Sequence, residues 1–271
     1  MTSSQGSPAA GPPAAGGSTE SLYVYGVVSA ADAGAIAAAV TDAPRPVRGV
    51  SEGDLAALVS PLPADTTPGR REDLEAHDRV LAQVIARGTV IPMRFGVVMD
   101  GEDIVRRDLL GRHADELKEL LHALDGHVQM SLKAYYAEDV LVREAVAANP
   151  ELARRSAALR GRPDAETHRE RLWIGETVAR AVGERRERDR QALLERITPV
   201  VAAVDEEPPA NERMALNAQL LVRRDARERL DAVVRELSDA QADRLAFRYV
   251  GPLPPYSFAD VALDPGEDAW D

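Results

Sequence analysis

Short apolar runs and amphipathic stretches alternate along the first hundred residues of the chain. β-Branched or aromatic runs predict strands, and apolar residues three or four positions apart predict helices. The predicted elements are a strand over 22–28, a helix over 32–40 with Asp32 as its N-cap, strands over 47–52 and 55–60, a helix over 72–87, and a strand over 89–98. The order β-α-β-β-α-β predicts a ferredoxin-like domain, in which two helices cover one face of a four-stranded antiparallel sheet.

Two short signals refine the first sheet. The dipeptide Gly53-Asp54 lies between two apolar runs and predicts a tight hairpin. The strand predicted over 89–98 contains Pro92, which has no amide hydrogen for a strand ladder. We therefore expect this strand at an edge of the sheet, or with its pairing beginning after Pro92.

The second half repeats the strand pattern around a long helical region, although no internal repeat of fixed period is visible. Residues 127–136 alternate in polarity, and one buried face is predicted to carry Val128, Met130, Leu132 and Ala134. Further strands are predicted over 214–222 and 244–250 with a helix over 225–237 between them, whereas 205–209 is interpreted as a loop. These elements predict an α/β C-terminal domain with a long helical hairpin or arm over about 138–198.

The last helix of the arm, predicted over about 165–198, would extend roughly 50 Å. Its turn from Glu184 to Gln191 contains only polar residues. Arg185 and Asp189 are four residues apart and are positioned for an ion pair worth about 0.2–0.5 kcal/mol. The pattern favours a solvated arm or antiparallel hairpin, with a partner-binding arm as the alternative.

Composition changes at both ends of the sequence. Residues 1–20 are rich in Ser, Gly, Pro and Ala and are predicted to be a disordered tail, with a recruitment arm as the alternative. Residues 264–271 are predicted to be a disordered acidic tail. Between them, 21–124 is assigned to the ferredoxin-like N-terminal domain with its following helices, and 125–263 to the C-terminal domain.

The charge balance is acidic: 33 Lys and Arg residues against 45 Asp and Glu residues give a net charge of −12. Proteins that bind nucleic acid through its phosphates need clustered positive charge, so nucleic acid is not an expected partner. A basic helix lying on a lipid membrane is disfavoured for the same reason. No apolar run approaches the ~18 residues of a membrane span, and a secretory signal pattern is missing, so we expect a cytoplasmic protein.

The sequence offers little catalytic chemistry. It contains no cysteine, which excludes disulfides, thiolate nucleophiles and thiolate metal sites. None of the five histidines forms a metal-spaced pair, and phosphate-loop, dinucleotide-binding and nucleophile-elbow motifs are missing. His77 lies on the apolar stripe of its helix and is interpreted as a hydrogen-bonded core residue. We therefore expect no catalytic residue, metal or cofactor.

Two segments combine proline, charge and aromatic residues in an unusual way: Pro92-Met93-Arg94-Phe95-Gly96 and Gly251-Pro252-Leu253-Pro254-Pro255-Tyr256-Ser257-Phe258. Both are interpreted as structural packing segments. Arg94 lies among apolar residues of a predicted strand, so we expect it to be buried and paired. The prolines are expected to keep the second segment extended in polyproline-like geometry, with the Tyr256 ring buried and its hydroxyl bonded.

These segments resemble the gas vesicle protein family GvpL/GvpF. The resemblance also includes Leu22-Tyr23-Val24-Tyr25-Gly26-Val27-Val28 and Gly126-His127-Val128-Gln129-Met130-Ser131-Leu132-Lys133. It runs from about residue 21 to 262 in the family's order, and residues 251–258 carry its most specific motif. The family usually has Trp where this chain has Leu253, and often Thr where it has Val97.

The resemblance implies a non-enzymatic accessory or minor component of gas vesicles, which are gas-filled protein shells in the cytoplasm. It implies a ferredoxin-like N-terminal domain and an α/β C-terminal domain with a helical hairpin. The implied partners are the small hydrophobic GvpA-like shell subunit and other accessory Gvp proteins, with a chaperone-like role. From the residues alone, the alternative is a small-molecule-binding or enzymatic ferredoxin-like protein, which a deep polar pocket with perturbed carboxylates would favour.

Overall fold

The computed structural model describes residues 20–63, 66–159 and 163–259, which form two antiparallel sheets with helices on their faces. Apart from Glu20, the predicted tails over 1–20 and 264–271 lie outside the described residues. The α+β architecture, with two sheets and one long helix, agrees with the predicted fold class.

The first sheet has the strand order of a ferredoxin-like unit. Its strands are β1 (Ser21–Ser29), β2 (Arg48–Glu52), β3 (Leu55–Leu62), β4 (Ile91–Pro92) and β5 (Val98–Asp100). They are arranged as β2-β3-β1, and both β4 and β5 pair with the remaining side of β1. This order confirms the ferredoxin-like prediction. The hairpin at Gly53-Asp54 is also present.

The prediction of one continuous strand over 89–98 is wrong for its middle residues. Only the two short strands β4 and β5 pair with β1, and a turn separates them. Gly96 in that turn has φ of 94°, a conformation that glycine adopts without steric cost. Pro92 lies in an outer strand, as predicted, where a missing amide hydrogen is tolerated.

Helices α1 (Ala30–Ala39) and α2 (Arg71–Ile85) cover one face of the first sheet. The N-cap of α1 is Ser29 and not the predicted Asp32, since the Ala31 amide donates to Ser29 Oγ at 3.2 Å. Asp32 lies instead in the first turn, where a negative charge interacts favourably with the helix dipole.

The opposite face of the first sheet is covered as well. A short helix, α3 (Glu102–Ile104), continues into a π-helical segment (Val105–Gly111), and α4 (Ala114–Leu124) follows. Leu110 of the π-helical segment and Leu117 of α4 are fully buried in the cluster that contains this face of β1. Burial on both faces explains why β1 is apolar along nearly its whole length.

The second sheet contains β6 (His127–Tyr136), β7 (Ala203–Glu206), β8 (Met214–Arg223) and β9 (Leu245–Leu253), in the order β7-β8-β6-β9. β6, β8 and β9 lie where strands were predicted. Asp205 and Glu206 belong to β7, so the loop predicted over 205–209 is wrong at its start. The predicted buried face of β6 is confirmed, since Val128, Met130, Leu132 and Ala134 are each 2% exposed or less.

The helices of the second half are α5 (Val140–Ala147), α6 (Pro150–Ala158), α7 (Asp164–Ile197) and α8 (Arg227–Ala240). Ion pairs join Glu144 to Arg185 and Arg155 to Glu170, so α5 and α6 run antiparallel to α7. This arrangement confirms the predicted helical hairpin. The C-terminal end of α7 and one side of α8 pack on the buried face of the second sheet.

The charged turn of α7 is not a solvated surface on its inner side. The Asp189 side chain is only 12% exposed, and its Oδ2 accepts hydrogen bonds from Tyr136 Oη, Arg244 Nη2 and Arg185 Nε at 2.8, 2.8 and 3.2 Å. Arg244 Nε also donates to Glu144 at 2.6 Å. The predicted Arg185–Asp189 pair is confirmed, but the solvated-arm interpretation is wrong here because groups from several elements converge on this turn.

The two sheets meet on the side of the first sheet that α4 covers. Leu221 of β8 belongs to the same buried cluster as Leu22 of β1, and Phe258 packs against that cluster. Residues that follow β9 therefore return from the second sheet to the first.

Candidate functional site

The two unusual segments meet at one buried histidine. His77 lies on α2 and is 1% exposed. Its Nδ1 is 2.8 Å from Tyr23 Oη, and its Nε2 is 2.9 Å from Tyr256 Oη. The prediction that His77 is a hydrogen-bonded core residue is confirmed, and the structure adds that its partners come from β1 and from the segment after β9.

Aromatic rings enclose the imidazole. The Tyr25 ring is stacked on it, with centroids 5.8 Å apart and an interplanar angle of 23°. Phe95 meets it edge-on at 6.0 Å, and Tyr23 does so at 5.7 Å. Burial in this cluster lowers the pKa of His77 and raises the pKa of Tyr23 to about 12. The site therefore holds neutral side chains at neutral pH.

The first segment forms the turn beside this histidine. Met93 is buried and Phe95 is half-buried, and the Gly96 amide donates to Tyr23 Oη at 3.2 Å. Arg94 is exposed, so the expectation of a buried arginine is wrong. That expectation assumed one continuous strand, whereas the chain leaves β4 after Pro92 and turns Arg94 outward.

The second segment is not a polyproline stretch. Gly251, Pro252 and Leu253 complete β9, and Tyr256–Phe258 form a helical turn. Pro254 and Pro255, between these two elements, are buried. Strand pairing with β6 and packing against the first sheet override the extended preference of the prolines.

Tyr256 meets its expectation in part. Its hydroxyl is bonded to His77, but the residue is 37% exposed, so its ring is only partly buried. Burial still raises the pKa of Tyr256 above its usual value. The turn is held at a second point, because the Ser257 amide donates to Gln129 Oε1 at 3.1 Å.

Gln129 begins a chain of buried amides that alternation did not predict. Gln129 Nε2 donates to Gln219 Oε1 at 3.1 Å, and Gln219 Nε2 donates to Glu207 at 3.0 Å. The alternation of polarity along β6 predicts that Gln129 faces solvent, yet the residue is 5% exposed. The packing of the two halves covers this position, which no local pattern can indicate.

The described residues contain one small cavity and one open groove of note. The cavity lies beside His77, and its volume of about 20 Å³ is enough for a single water molecule. The groove lies between α8 and β9 and has a volume of about 520 Å³. Its lining combines the apolar Met130, Val234 and Phe247 with the charged Arg227, Asp231, Arg235 and Asp239.

The carboxylates with a shifted pKa carry no sign of acid catalysis. Hydrogen bonds from arginine lower the pKa of Glu102 and Glu144, and backbone amides lower that of Asp73. These are the shifts of structural ion pairs and caps. Within the described residues no group of three or more His, Asp or Glu side chains is placed to hold a metal ion. No helix in that part of the chain is long and apolar enough to cross a membrane.

Comparisons with known proteins agree with the fold. The crystal structure of the gas vesicle protein GvpF from Anabaena sp. PCC7120 matches with a TM-score of 0.79 at 22% identity, covering 90% of this chain and 99% of that one. GvpF from Microcystis aeruginosa matches with a TM-score of 0.71 at 24% identity, covering 90% and 100%. These structures share the architecture of two sheets and a long helix.

Sequence comparison extends this likeness. Gas vesicle protein F of a Streptomyces species is 36% identical over 242 residues, which are 89% of this chain and 100% of the relative. Gas vesicle protein F2 of Halobacterium salinarum is 27% identical over 249 residues, 89% of this chain and 93% of the relative. The family model of the gas vesicle synthesis protein GvpL/GvpF matches residues 21–260. The chain therefore belongs to the GvpL/GvpF family of gas vesicle synthesis proteins.

Proposed function

We propose that this protein is a non-enzymatic accessory or minor structural protein of gas vesicle assembly, which binds the hydrophobic shell subunit and other Gvp proteins in a chaperone-like way. Its family membership supports a role in assembly. A shell subunit that forms a wall in contact with gas must expose apolar surface, and before assembly such a surface promotes aggregation. A cytoplasmic partner that covers this surface reversibly keeps the subunit available.

The free edge of β9 is the observation that supports this proposal most directly. Among the described residues, β9 is nine residues long and pairs on one side only, with β6. The strands at the other sheet ends, β2, β7 and the interrupted β4 and β5, have five residues or fewer. An unpaired edge of this length can accept an extended segment of a partner as an additional strand.

The groove beside β9 fits the side chains of such a segment. Met130, Val234 and Phe247 supply apolar side chains among the charged residues that also line it, and Val250, on the other face of β9, is 41% exposed. Arg248 on the same strand is a charged edge residue of the kind that limits indiscriminate pairing. The net charge of −12 favours the solubility of a complex. We therefore favour β9 over the edge near Pro92–Val98 and over the arm as the contact with the shell subunit.

Three exposed apolar residues allow the three surfaces to be compared. Val250 lies on β9, Val98 on β5 and Leu172 on α7, and they are 41%, 37% and 55% exposed. Each is replaced by Asp, and the variants are co-expressed with the shell subunit and purified through a tag on this protein. We expect Val250→Asp to reduce the recovered shell subunit at least tenfold, because a charge is then placed at the docking edge.

The other two variants are matched controls and should retain co-purification. Loss of binding in Val98→Asp or Leu172→Asp alone would place the contact on the N-terminal edge or on the arm. If the wild-type protein neither co-purifies with the shell subunit at any salt concentration nor changes its solubility, the chaperone-like role is wrong.

A further inference from the structure

The hydrogen bonds around His77 determine where its proton lies. An amide can only donate, so Tyr23 Oη accepts the bond from Gly96. The buried Tyr23 hydroxyl proton finds an acceptor when it is donated to His77 Nδ1, at 2.8 Å. This leaves the imidazole proton on Nε2, from which it is donated to Tyr256 Oη at 2.9 Å. With this tautomer each of the three buried polar contacts has one donor and one acceptor.

A second proton on His77 affects its two sides unequally. On the Nε2 side the bond to Tyr256 persists and becomes charge-assisted, which strengthens it. On the Nδ1 side the new N–H faces the hydroxyl proton of Tyr23, so two donors oppose each other. Tyr23 is 6% exposed, and its hydroxyl already faces the Gly96 N–H, so the displaced proton meets a second donor. A buried donor without a partner is unfavourable, and this cost is relieved when water reaches Tyr23.

The turn from Met93 to Val97 is the part of this enclosure that can yield. It connects strands of only two and three residues. Bonds from Met93 N to Tyr25 O and from Val24 N to Val97 O hold its two ends on β1, at 2.9 and 3.0 Å. The Gly96 amide holds its centre to Tyr23. A short segment at a sheet end, with exposed residues at its tip, opens at low free energy.

The charged and titratable groups near His77 set the conditions for protonation. They are Tyr23 and Tyr25 on β1, Asp73 and Asp78 on α2, Arg45 in the loop that lines the adjacent cavity, and Tyr256. Burial lowers the pKa of His77, and the charge of Asp78 and a hydrogen bond with the Met93 backbone oppose this effect without cancelling it. The closed arrangement therefore belongs to the neutral imidazole.

We propose that His77 is a proton-operated switch: its protonation opens the Met93–Val97 turn through Tyr23, while Tyr256 stays attached. The switch connects the two segments of the site to one titratable group and gives them opposite responses to acid. It goes beyond the assembly role proposed above and does not depend on any partner.

Amide hydrogen exchange measured by NMR between about pH 7.5 and pH 5 tests the switch. We expect the protection factor of the Gly96 amide to fall by up to tenfold per pH unit below about pH 6.5, because opening then takes up one proton. The Ser257 amide, bonded to Gln129 Oε1, reports on the attached segment and should keep its protection. Nitrogen shifts of the imidazole at pH 7.5 should place the proton on Nε2.

Two variants isolate the responsible group. His77→Gln removes the titration and should leave the protection of Gly96 independent of pH. His127→Gln is the matched control, since His127 is bonded to the Asp125 carbonyl away from this site, and the variant should keep the wild-type slope. If His77→Gln does not fold, Tyr23→Phe replaces it, and Gly96 should then exchange rapidly at every pH.

Three results would overturn the proposal. The first is a Gly96 protection factor that stays constant while the His77 ring titrates. The second is a Ser257 amide that loses protection with the same slope as Gly96, since both segments would then open together. The third is an imidazole proton on Nδ1 at pH 7.5.

Discussion

The two halves of the chain each form a sheet with the same strand order, but the faces of the two sheets are covered differently. In each half the first and third strands lie in the centre, and the second and fourth lie at the ends. Helices cover both faces of the first sheet. The second sheet has helices on one face, whereas Ser131, Lys133 and Arg248 lie on the other. Topology alone therefore does not decide which face becomes core, and side-chain pattern must do so.

The burial patterns of the central strands β1 and β6 reflect this difference in how the two sheets are covered. β1 is buried at seven consecutive positions, from Leu22 to Val28, because both of its faces pack against helices. β6 is buried mainly at alternate positions, because one of its faces is polar. The same architecture thus arises twice without a visible sequence repeat, since only the pattern of polarity needs to suit each half.

The largest effect is expected where the second face of the first sheet is core. Leu110 of the π-helical segment is 0% exposed, so Leu110→Ala should lower the free energy of unfolding by about 2–5 kcal/mol. Val250→Ala, at a position of the second sheet that is 41% exposed, should change it by about 0.5 kcal/mol or less. Urea unfolding of both variants measures the contrast, and equal effects would remove the distinction between the two faces.

In the second half, ion pairs and hydrogen bonds converge on Asp189, and Asp189→Ala should disrupt this network. The substitution leaves Tyr136, Arg185 and Arg244 without their common acceptor, so we expect a loss of about 1.5–3 kcal/mol in urea unfolding. Asp225→Ala is the matched control, because Asp225 pairs with Arg223 at an exposed position, and it should leave the midpoint unchanged. If the Asp189 variant is as stable as the wild-type protein, the interpretation of α7 as a solvated arm would be restored.

The contact between the halves at His77 should make stability depend on pH. Burial lowers the pKa of folded His77, so below about pH 6.5 the unfolded chain binds a proton that the folded chain does not. The free energy of unfolding should therefore fall as the pH drops from about 6.5 to that lower pKa, by at most about 1.4 kcal/mol per pH unit. Subtracting the pH curve of His77→Gln isolates this contribution, and parallel curves would show that His77 does not report on the junction.

The smallest effect is expected on the polar face of the second sheet. Lys133 and Arg248 are register partners on neighbouring strands, and like charges directly opposite each other are unfavourable. Arg248→Thr should raise the free energy of unfolding by about 0.2–0.5 kcal/mol, and added salt should reduce this gain. Lys133→Thr is the reciprocal variant, and the double variant should gain less than the two single gains combined. A loss of stability in Arg248→Thr would mean that this face is more tightly packed than the second sheet implies.

Much of the fold could be predicted because its signals are local. The alternation of β6, the hairpin at Gly53-Asp54 and the amphipathic period of α2 each depend on burial or turn geometry within a few residues. The failures have a common cause. Asp205 pairs in β7 because β8 lies beside it, and Asp189 is enclosed because Arg244 reaches it from 55 positions away.

The candidate site divides in the same way. Both of its segments were recognisable in the sequence, and so was the position of His77 on an apolar stripe. Their meeting was not, because Tyr23 and Tyr256 lie 54 and 179 positions from His77 and no local pattern relates them. Arg94 was misplaced for a related reason, since its outward direction depends on a turn that the apolar run conceals.

The order of the elements, the membership of the GvpL/GvpF family and the apolar face of each amphipathic element follow from the amino-acid sequence alone. Only the tertiary structure decides which strand edge stays open, which charges are enclosed and which donor meets which acceptor at His77. The physical reason is that hydrophobic burial is non-directional and is recorded in local periodicity. Hydrogen bonds and ion pairs require atoms from distant segments to meet within about 3 Å, which chain packing alone determines.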